Sequence, residues 1–393
     1  MYDGAVSSPE EFGSYLVYEQ LGVGGMATVH IAESRGLRKR VALKRLLPHA
    51  AENPDLVQSF IREARLVAHL RHANIAQTYD FGKVGDTYFI AMELVPGPTV
   101  SQLIRQCKST VGIIPFPITL NMLIQICDAL DYAHNLVDET GTSLGLVHRD
   151  VSPPNIIISN TGLAKLIDFG VAKLANSSLQ TKVGTVKGKF SYMAPEYMAG
   201  QLDARCDLWA LGVVAHELLT NRMLFDADDD LKVIDRVRHA PIPPPSRYNL
   251  DVPRDLDAVV MTALERLPAR RWQTAAAMRT ALNNVASELQ TSVTNAQVIE
   301  WIEWAFTQQP GHERSGVTEL IKLLEQPSKH TKGRAFSTPR VGAAMMKRHG
   351  AGRSILLWLL LIAIAMGTGF AVYRWGIPDE LTKQLPVPGK RAS

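Results

Sequence analysis

Residues 15–32 alternate apolar and polar positions, with β-branched and aromatic side chains on both sides of a turn made by Gly22, Gly24 and Gly25. That pattern predicts a β-hairpin. RVALKRLL (residues 40–47) continues as a third strand. SFIREARLVAHL then sets Phe60, Ala64, Val67 and Ala68 at helical spacing, which predicts a helix over 59–70 with Glu63 in its first half. A further strand, TYFIAMELV (residues 87–95), runs into Pro96-Gly97, a break where two lobes can hinge. Downstream the period turns helical: residues 121–136 and 204–220 are largely apolar and read as buried helices, and 294–309 and 315–326 as amphipathic helices packed on what precedes them.

An apolar fraction of 46% over 393 residues suits a packed globular chain and excludes a disordered one. Net charge is +4, with 42 basic against 38 acidic residues, and no basic stripe carries interleaved aromatics, so a nucleic-acid partner is not expected. Cys107, Cys127 and Cys206 have no metal-type spacing and read as inert thiols of a reducing compartment. PIPPPS (241–246) reads as a rigid connection rather than a polyproline ligand, and DADDD (226–230) as a solvated turn, since it lacks the glycine and final glutamate of a calcium loop.

The N-terminus carries Asp3, Glu10 and Glu11 and no apolar core, so no signal peptide is expected. Residues 355–373 are uncharged and, as a helix, span roughly 28 Å, the thickness of a bilayer core. A transmembrane helix is the expectation. The preceding residues 327–354, rich in Lys, Arg, Gly, Ser and Pro, read as a flexible juxtamembrane linker. Basic residues flank the span almost evenly, with Arg340, Lys347, Arg348 and Arg353 before it and Arg374, Lys383, Lys390 and Arg391 after it, so charge alone does not orient it.

Five fragments carry chemistry: LGVGGMATVHIA (21–32), VALK (41–44), HRDVSPPN (148–155), DFG (168–170) and APE (194–196). Each alone is weak; in this order and spacing they are specific. The chain resembles the bacterial eukaryotic-like (Hanks-type) serine/threonine protein kinases over residues 12–287. The resemblance implies an α+β, two-lobed protein kinase fold with a β-rich N-lobe (12–95) and an α-rich C-lobe (96–287). Around it stand an N-terminal tail (1–11), a helical extension (288–326), the linker, the membrane helix and a short extracytoplasmic tail (374–393). It further implies ATP and Mg²⁺, with Mn²⁺ as the alternative metal, and protein substrates with Ser or Thr acceptors. ATP is cytoplasmic, which places the kinase domain on the cytoplasmic side of the cell membrane, anchored by a single helix with no large outer sensor.

By resemblance, Leu21, Gly22, Val23, Gly24, Gly25, Met26, Ala27 and Thr28 cover the nucleotide, and backbone N–H groups reach its phosphates. Ala27 stands where the family has glycine. Val29, Ala42 and Ile157 sandwich adenine, Met92 closes the back of the pocket, and the backbone of Glu93 and Val95 holds the base. Lys44, oriented by Glu63, reaches the phosphates; Asp150 takes the acceptor hydroxyl's proton; Asn155 and Asp168 hold the metal. Asp207 anchors the catalytic loop, Glu196 pairs with Arg271, and Arg149 meets a phosphorylated activation loop. Thr185 and Thr181 are the leading phosphosites there, beside Ser177 and Ser178, and a homodimer would phosphorylate them in trans.

One departure bears on activity. The family's loop lysine is replaced by Ser152, and Lys189 stands where its partner threonine belongs. The two residue types look exchanged, so that ammonium and hydroxyl meet across the site from opposite sides. The reading from sequence is an active kinase; its rival is a membrane-anchored pseudokinase scaffold that binds nucleotide or partners.

Overall fold

A computed structural model describes residues 8–36, 38–169, 189–200, 202–310 and 316–325. All lie in the first of two compact units, residues 1–332. Thr181, Thr185, Ser177 and Ser178, the linker, residues 355–373 and the tail after them lie outside the described residues, as does the side chain of Lys189. Among the described residues no helix is long and apolar enough to cross a membrane.

The N-lobe is a six-stranded antiparallel sheet with helices on one face. Its strands are β1 (Glu10–Phe12), β2 (Tyr15–Val23), β3 (Ala27–Ser34) and β4 (Lys39–Leu46), then, after helices α1 (Pro48–Ala51) and α2 (Pro54–Val67), β5 (Thr78–Val84) and β6 (Thr87–Glu93). The spatial order is β1-β2-β3-β4-β6-β5. Period two sorts the strand residues. Val41 and Leu43 join Phe12, Tyr15, Val17 and Phe89 on one face, while Leu46 joins Ala27, Ala50, Phe60, Ala64 and Ile90 under the helices. Lys44, in step with Leu46, is thereby aimed at α2.

Two sequence expectations shift. Glu10 and Glu11, assigned to the tail, belong to β1, where Glu10 pairs with Arg45 at 2.9 Å and Glu11 with Arg35 at 2.5 Å. Helix α2 begins at Pro54 rather than Ser59 because the Asn53 side chain accepts from the Asp55 and Leu56 N–H groups and Pro54 suits a first turn. It ends at Val67, which leaves Ala68 exposed instead of on the buried face.

The C-lobe comprises α3 (Val100–Ser109), α4 (Phe116–His134), the hairpin β7 (Ile156–Ile158) and β8 (Ala164–Leu166), α5 (Arg205–Thr220), α6 (Asp230–His239), α7 (Arg254–Ala263) and α8 (Ala275–Glu288), followed by α9 (Asn295–Thr307) and α10 (Gly316–Glu325). Helix α4 starts at Phe116, before the Asn121 expected, with Pro117 in its first turn. Every residue of α5 from Cys206 to Thr220 is buried, which makes it the axis of the lobe. All three cysteines are free and buried; burial pushes the Cys107 thiol up to about 12, so it stays protonated.

The lobes meet at Pro96-Gly97. Gly97 has φ +146°, and a Cβ there would lie 2.0 Å from the Ile158 carbonyl oxygen. Only glycine lets the hinge approach β7 so closely. Around it Ile158 N–H donates to Pro98 O at 2.9 Å and Asn160 N–H to Pro96 O at 2.8 Å.

Candidate active site

Lys44 Nζ lies 2.8 Å from Glu63 Oε1 and 3.0 Å from Asp168 Oδ1. Lys44 and Glu63 are only 9% and 4% exposed. Burial alone would lower the Lys44 ammonium, but the Asp168 and Glu63 carboxylates outweigh it and hold the pKa above the ordinary lysine value. A lysine so held is a fixed positive charge, able to meet nucleotide phosphates.

The β2–β3 hairpin lies beside Lys44 in the sheet. Gly24 N–H donates to Ala27 O at 2.8 Å, closing the turn, and Leu21 and Val23 are exposed along it. The methyl of Ala27 is buried with Leu46, Ala50 and Phe60, so the departure from glycine fills the N-lobe core rather than the cleft. Val29 pairs with Lys44 across β3–β4, and Ala42 with Met92 across β4–β6. Ile157 of β7 bridges to Thr99 just after the hinge. Val95 is buried there, and Glu93 N–H donates to Gln77 O at 2.7 Å.

The loop of residues 148–155 hangs from Asp207 of α5. Asp207 Oδ2 accepts from His148 N–H at 2.8 Å and Oδ1 from Arg149 N–H at 2.7 Å, while His134 Nε2 lies 2.8 Å from Oδ2. Burial would raise the Asp207 pKa; the hydrogen bond and charge of His134, with His148, overcome it and hold it below the usual carboxylate value. Asp150 N–H donates to His148 Nδ1 at 3.2 Å, so the ring proton sits on Nε2, which donates to Ile167 O at 3.2 Å. The ring also packs on Phe169 at 4.4 Å between centroids.

Asn155 Nδ2 donates to Asp150 O at 2.9 Å, and Ile167 N–H donates to Asn155 O at 3.0 Å. The loop and the Asp168 segment are thus bonded to each other. Asn155 Oδ1 and the Asp168 carboxylate offer hard oxygen donors of the kind Mg²⁺ takes. Among the described residues no group of three or more His, Cys, Asp or Glu could hold a metal ion. Ser152 Oγ donates to Asp150 O at 3.3 Å.

Arg149 has φ +64°, and its Nε and Nη1 are buried without a hydrogen-bond partner among the described residues. They border a small cavity lined by Tyr192, Met193, Ala194, Tyr197 and Cys206. Arg271 grips Glu196 with Nη1 at 2.6 Å and Nη2 at 2.7 Å, and lies over the Trp209 ring at 5.0 Å.

Three partners were not singled out from sequence. Lys165 Nζ bonds both Glu93 oxygens, at 2.8 and 2.9 Å, tying β8 to the hinge. Tyr192 OH donates to Glu217 at 2.5 Å; burial raises the Glu217 carboxyl. The third is His134. A lysine three residues before Asp168 was the only legible hint among these.

Residues 15–320 match the protein kinase domain family. The chain is 35% identical over 324 residues to "Tyrosine-protein kinase MasK" of Myxococcus xanthus, covering 81% of this chain and 50% of that protein. It is 38% identical over 280 residues to "Serine/threonine-protein kinase PknB" of Mycobacterium leprae, covering 70% and 43%. The chain therefore spans about half the length of the curated relatives it matches. Among solved structures, the Mycobacterium tuberculosis PknI kinase domain is similar at TM-score 0.56 and 28% identity, over 72% of this chain and 100% of that one.

Proposed function

The chain belongs to the protein kinase family, and from that premise we propose that it transfers the γ-phosphate of ATP to serine or threonine hydroxyls of proteins. The observation that carries the reading is the buried Lys44–Glu63 pair, 2.8 Å apart with Asp168 at 3.0 Å from the same ammonium. Phosphoryl transfer is mostly positioning and charge neutralisation, and each residue has a task in it. Lys44 orients the phosphates under the β2–β3 hairpin. Asn155 and Asp168 would hold Mg²⁺, which when bound neutralises charge between the phosphates. Asp150, suspended from Asp207 through its neighbours, accepts the proton of the acceptor hydroxyl. Arg149, with two guanidinium nitrogens that find no hydrogen-bond partner among the described residues, is the counter-ion for a phosphate on the activation segment, with Thr185 the leading site.

Residues 355–373 anchor the chain in the cytoplasmic membrane in this reading, with the kinase domain on the ATP side and a second copy acting in trans. Nineteen uncharged residues support the span.

The test is transfer of labelled γ-phosphate by the full chain with Mg-ATP, beside Asp150→Asn, with acceptor residues identified. Label on Ser or Thr in the unmutated chain alone is expected; label on tyrosine would align it with the relative named a tyrosine kinase. Ser152 favours the second reading, a scaffold that binds nucleotide without transfer. If Ser152 and Lys189 are an exchanged pair, Lys189→Thr loses most activity and Ser152→Lys added to it recovers much of the loss; additive losses refute the exchange.

A further inference from the structure

A chain of side-chain amides joins the helical extension to β8, the strand that leads into Asp168. Its centre is Gln125 on α4. Gln125 Oε1 accepts from Ala164 N–H at 3.0 Å and from Asn74 Nδ2 at 2.8 Å, and Asn74 Nδ2 also donates to Ala164 O at 2.9 Å. Gln125 Nε2 donates to Asn121 Oδ1 at 2.6 Å, with Asn295 Oδ1 at 3.3 Å and Gly162 O at 3.4 Å as further acceptors. Asn121 Nδ2 then donates to Val293 O at 2.9 Å.

Both ends of this chain are backbone groups of fixed polarity. The Ala164 N–H can only donate and the Val293 carbonyl can only accept, so every amide between them has one allowed orientation. Turning any one over would set N–H against N–H or oxygen against oxygen. The contact is also close: Gly162, in the β7–β8 turn, has φ +74°, and a Cβ there would lie 2.2 Å from Asn295 O. A capping box of Thr294 and Gln297 fixes the start of helix α9, and Gln106 Nε2 ties its far end to α3, donating to Ala305 O at 3.0 Å and Gln308 O at 3.1 Å.

The strand so held has little other freedom. Leu166 N–H donates to Asn74 O at 2.8 Å, and Ala76 N–H to Leu166 O at 2.9 Å. Asp168 follows two residues later. We infer that the extension from Val293 onward is a positioning element of the nucleotide–metal site, holding β8 and therefore Asp168 in place through Asn121 and Gln125. The inference rests on the reading of Asp168 as a metal-holding residue of a kinase.

The decisive variant is Asn121→Asp in the full chain, which keeps an acceptor for Gln125 but turns the donor to Val293 O into a second acceptor. The readout is binding of a fluorescent ADP analogue with and without Mg²⁺, which needs no phosphoryl transfer. The Mg²⁺ concentration for half-maximal tightening should rise about threefold, less than the roughly tenfold of a partner bonded directly to a metal ligand because Asn121 acts through Gln125 and β8, with metal-free affinity unchanged. Gln106→Ala, which loosens α9 on the α3 side only, should leave the Mg²⁺ requirement as it was. A wild-type requirement in Asn121→Asp, or an equal rise in Gln106→Ala, overturns the inference. Should Asn121→Asp fail to fold, Asn121→Ala is read by the same criteria. Mg²⁺-dependent ADP binding without transfer in the unmutated chain overturns the kinase reading alone; no Mg²⁺ effect on binding at all overturns both.

Discussion

Asp207 is 1% exposed, yet its two oxygens accept the backbone N–H groups of His148 and Arg149. Its pKa is held below the ordinary 3.8. A depressed carboxyl contributes stability that is complete above its unfolded value and is lost as pH falls through the folded one. Melting followed from pH 7 downward should therefore show the unmutated chain losing stability below about pH 4. Asp207→Asn, which can serve only one of the two N–H groups, should be about 2 kcal/mol less stable at pH 7 and should lose less on acidification. Equal acid profiles would remove Asp207 from this role. The resemblance named Asp207 as a loop anchor, but nothing in the sequence pointed to His134, since a histidine at a helix end is more often solvated. Ala27, which stands where the family has glycine, has its methyl buried beneath α1 and α2.

At the level of elements, the Glu196–Arg271 pair clamps the 3₁₀ turn Pro195–Ala199 to the turn Pro268–Arg270 ahead of α8. The Arg271 side chain is fully buried and also donates from Nε to Glu265 O at 2.6 Å. Glu196→Gln leaves that guanidinium without its counter-charge and should cost about 3 kcal/mol, read as a lower denaturant midpoint at unchanged slope. Glu196→Gln with Arg271→Met should recover part of this, because no buried charge is then left unpaired; a double variant worse than either single one would rule the account out. The elements themselves were largely visible as periodicity, and their ends were not. Asn53-Pro54 starts α2 by cap chemistry that an apolar count passes over, and β1 is too short to show a period.

At the scale of the molecule, α9 and α10 share one hydrophobic core with the C-lobe through Val298, Trp301, Ile302, Ala305 and Leu320. Trp301 is fully buried and donates its Nε1 proton to Gly316 O at 2.9 Å. Trp301→Ala should cost about 4 kcal/mol and lower a single thermal transition. Two separate transitions would mean that the extension melts independently of the lobe. The sequence by itself determined what local spacing can encode: the strand and helix periods, the glycine turn, the break at Pro96-Gly97, and the order of Lys44, Glu63, Asp150, Asn155 and Asp168. Only the tertiary structure decided which polar groups meet. Asp207 reaches His148 across 59 residues, Lys165 reaches Glu93 across 72 and Asn121 reaches Val293 across 172. A residue pattern records the few positions that share a turn or a strand face, whereas pairing at such separations follows from how buried faces pack and which polar groups that packing leaves without water.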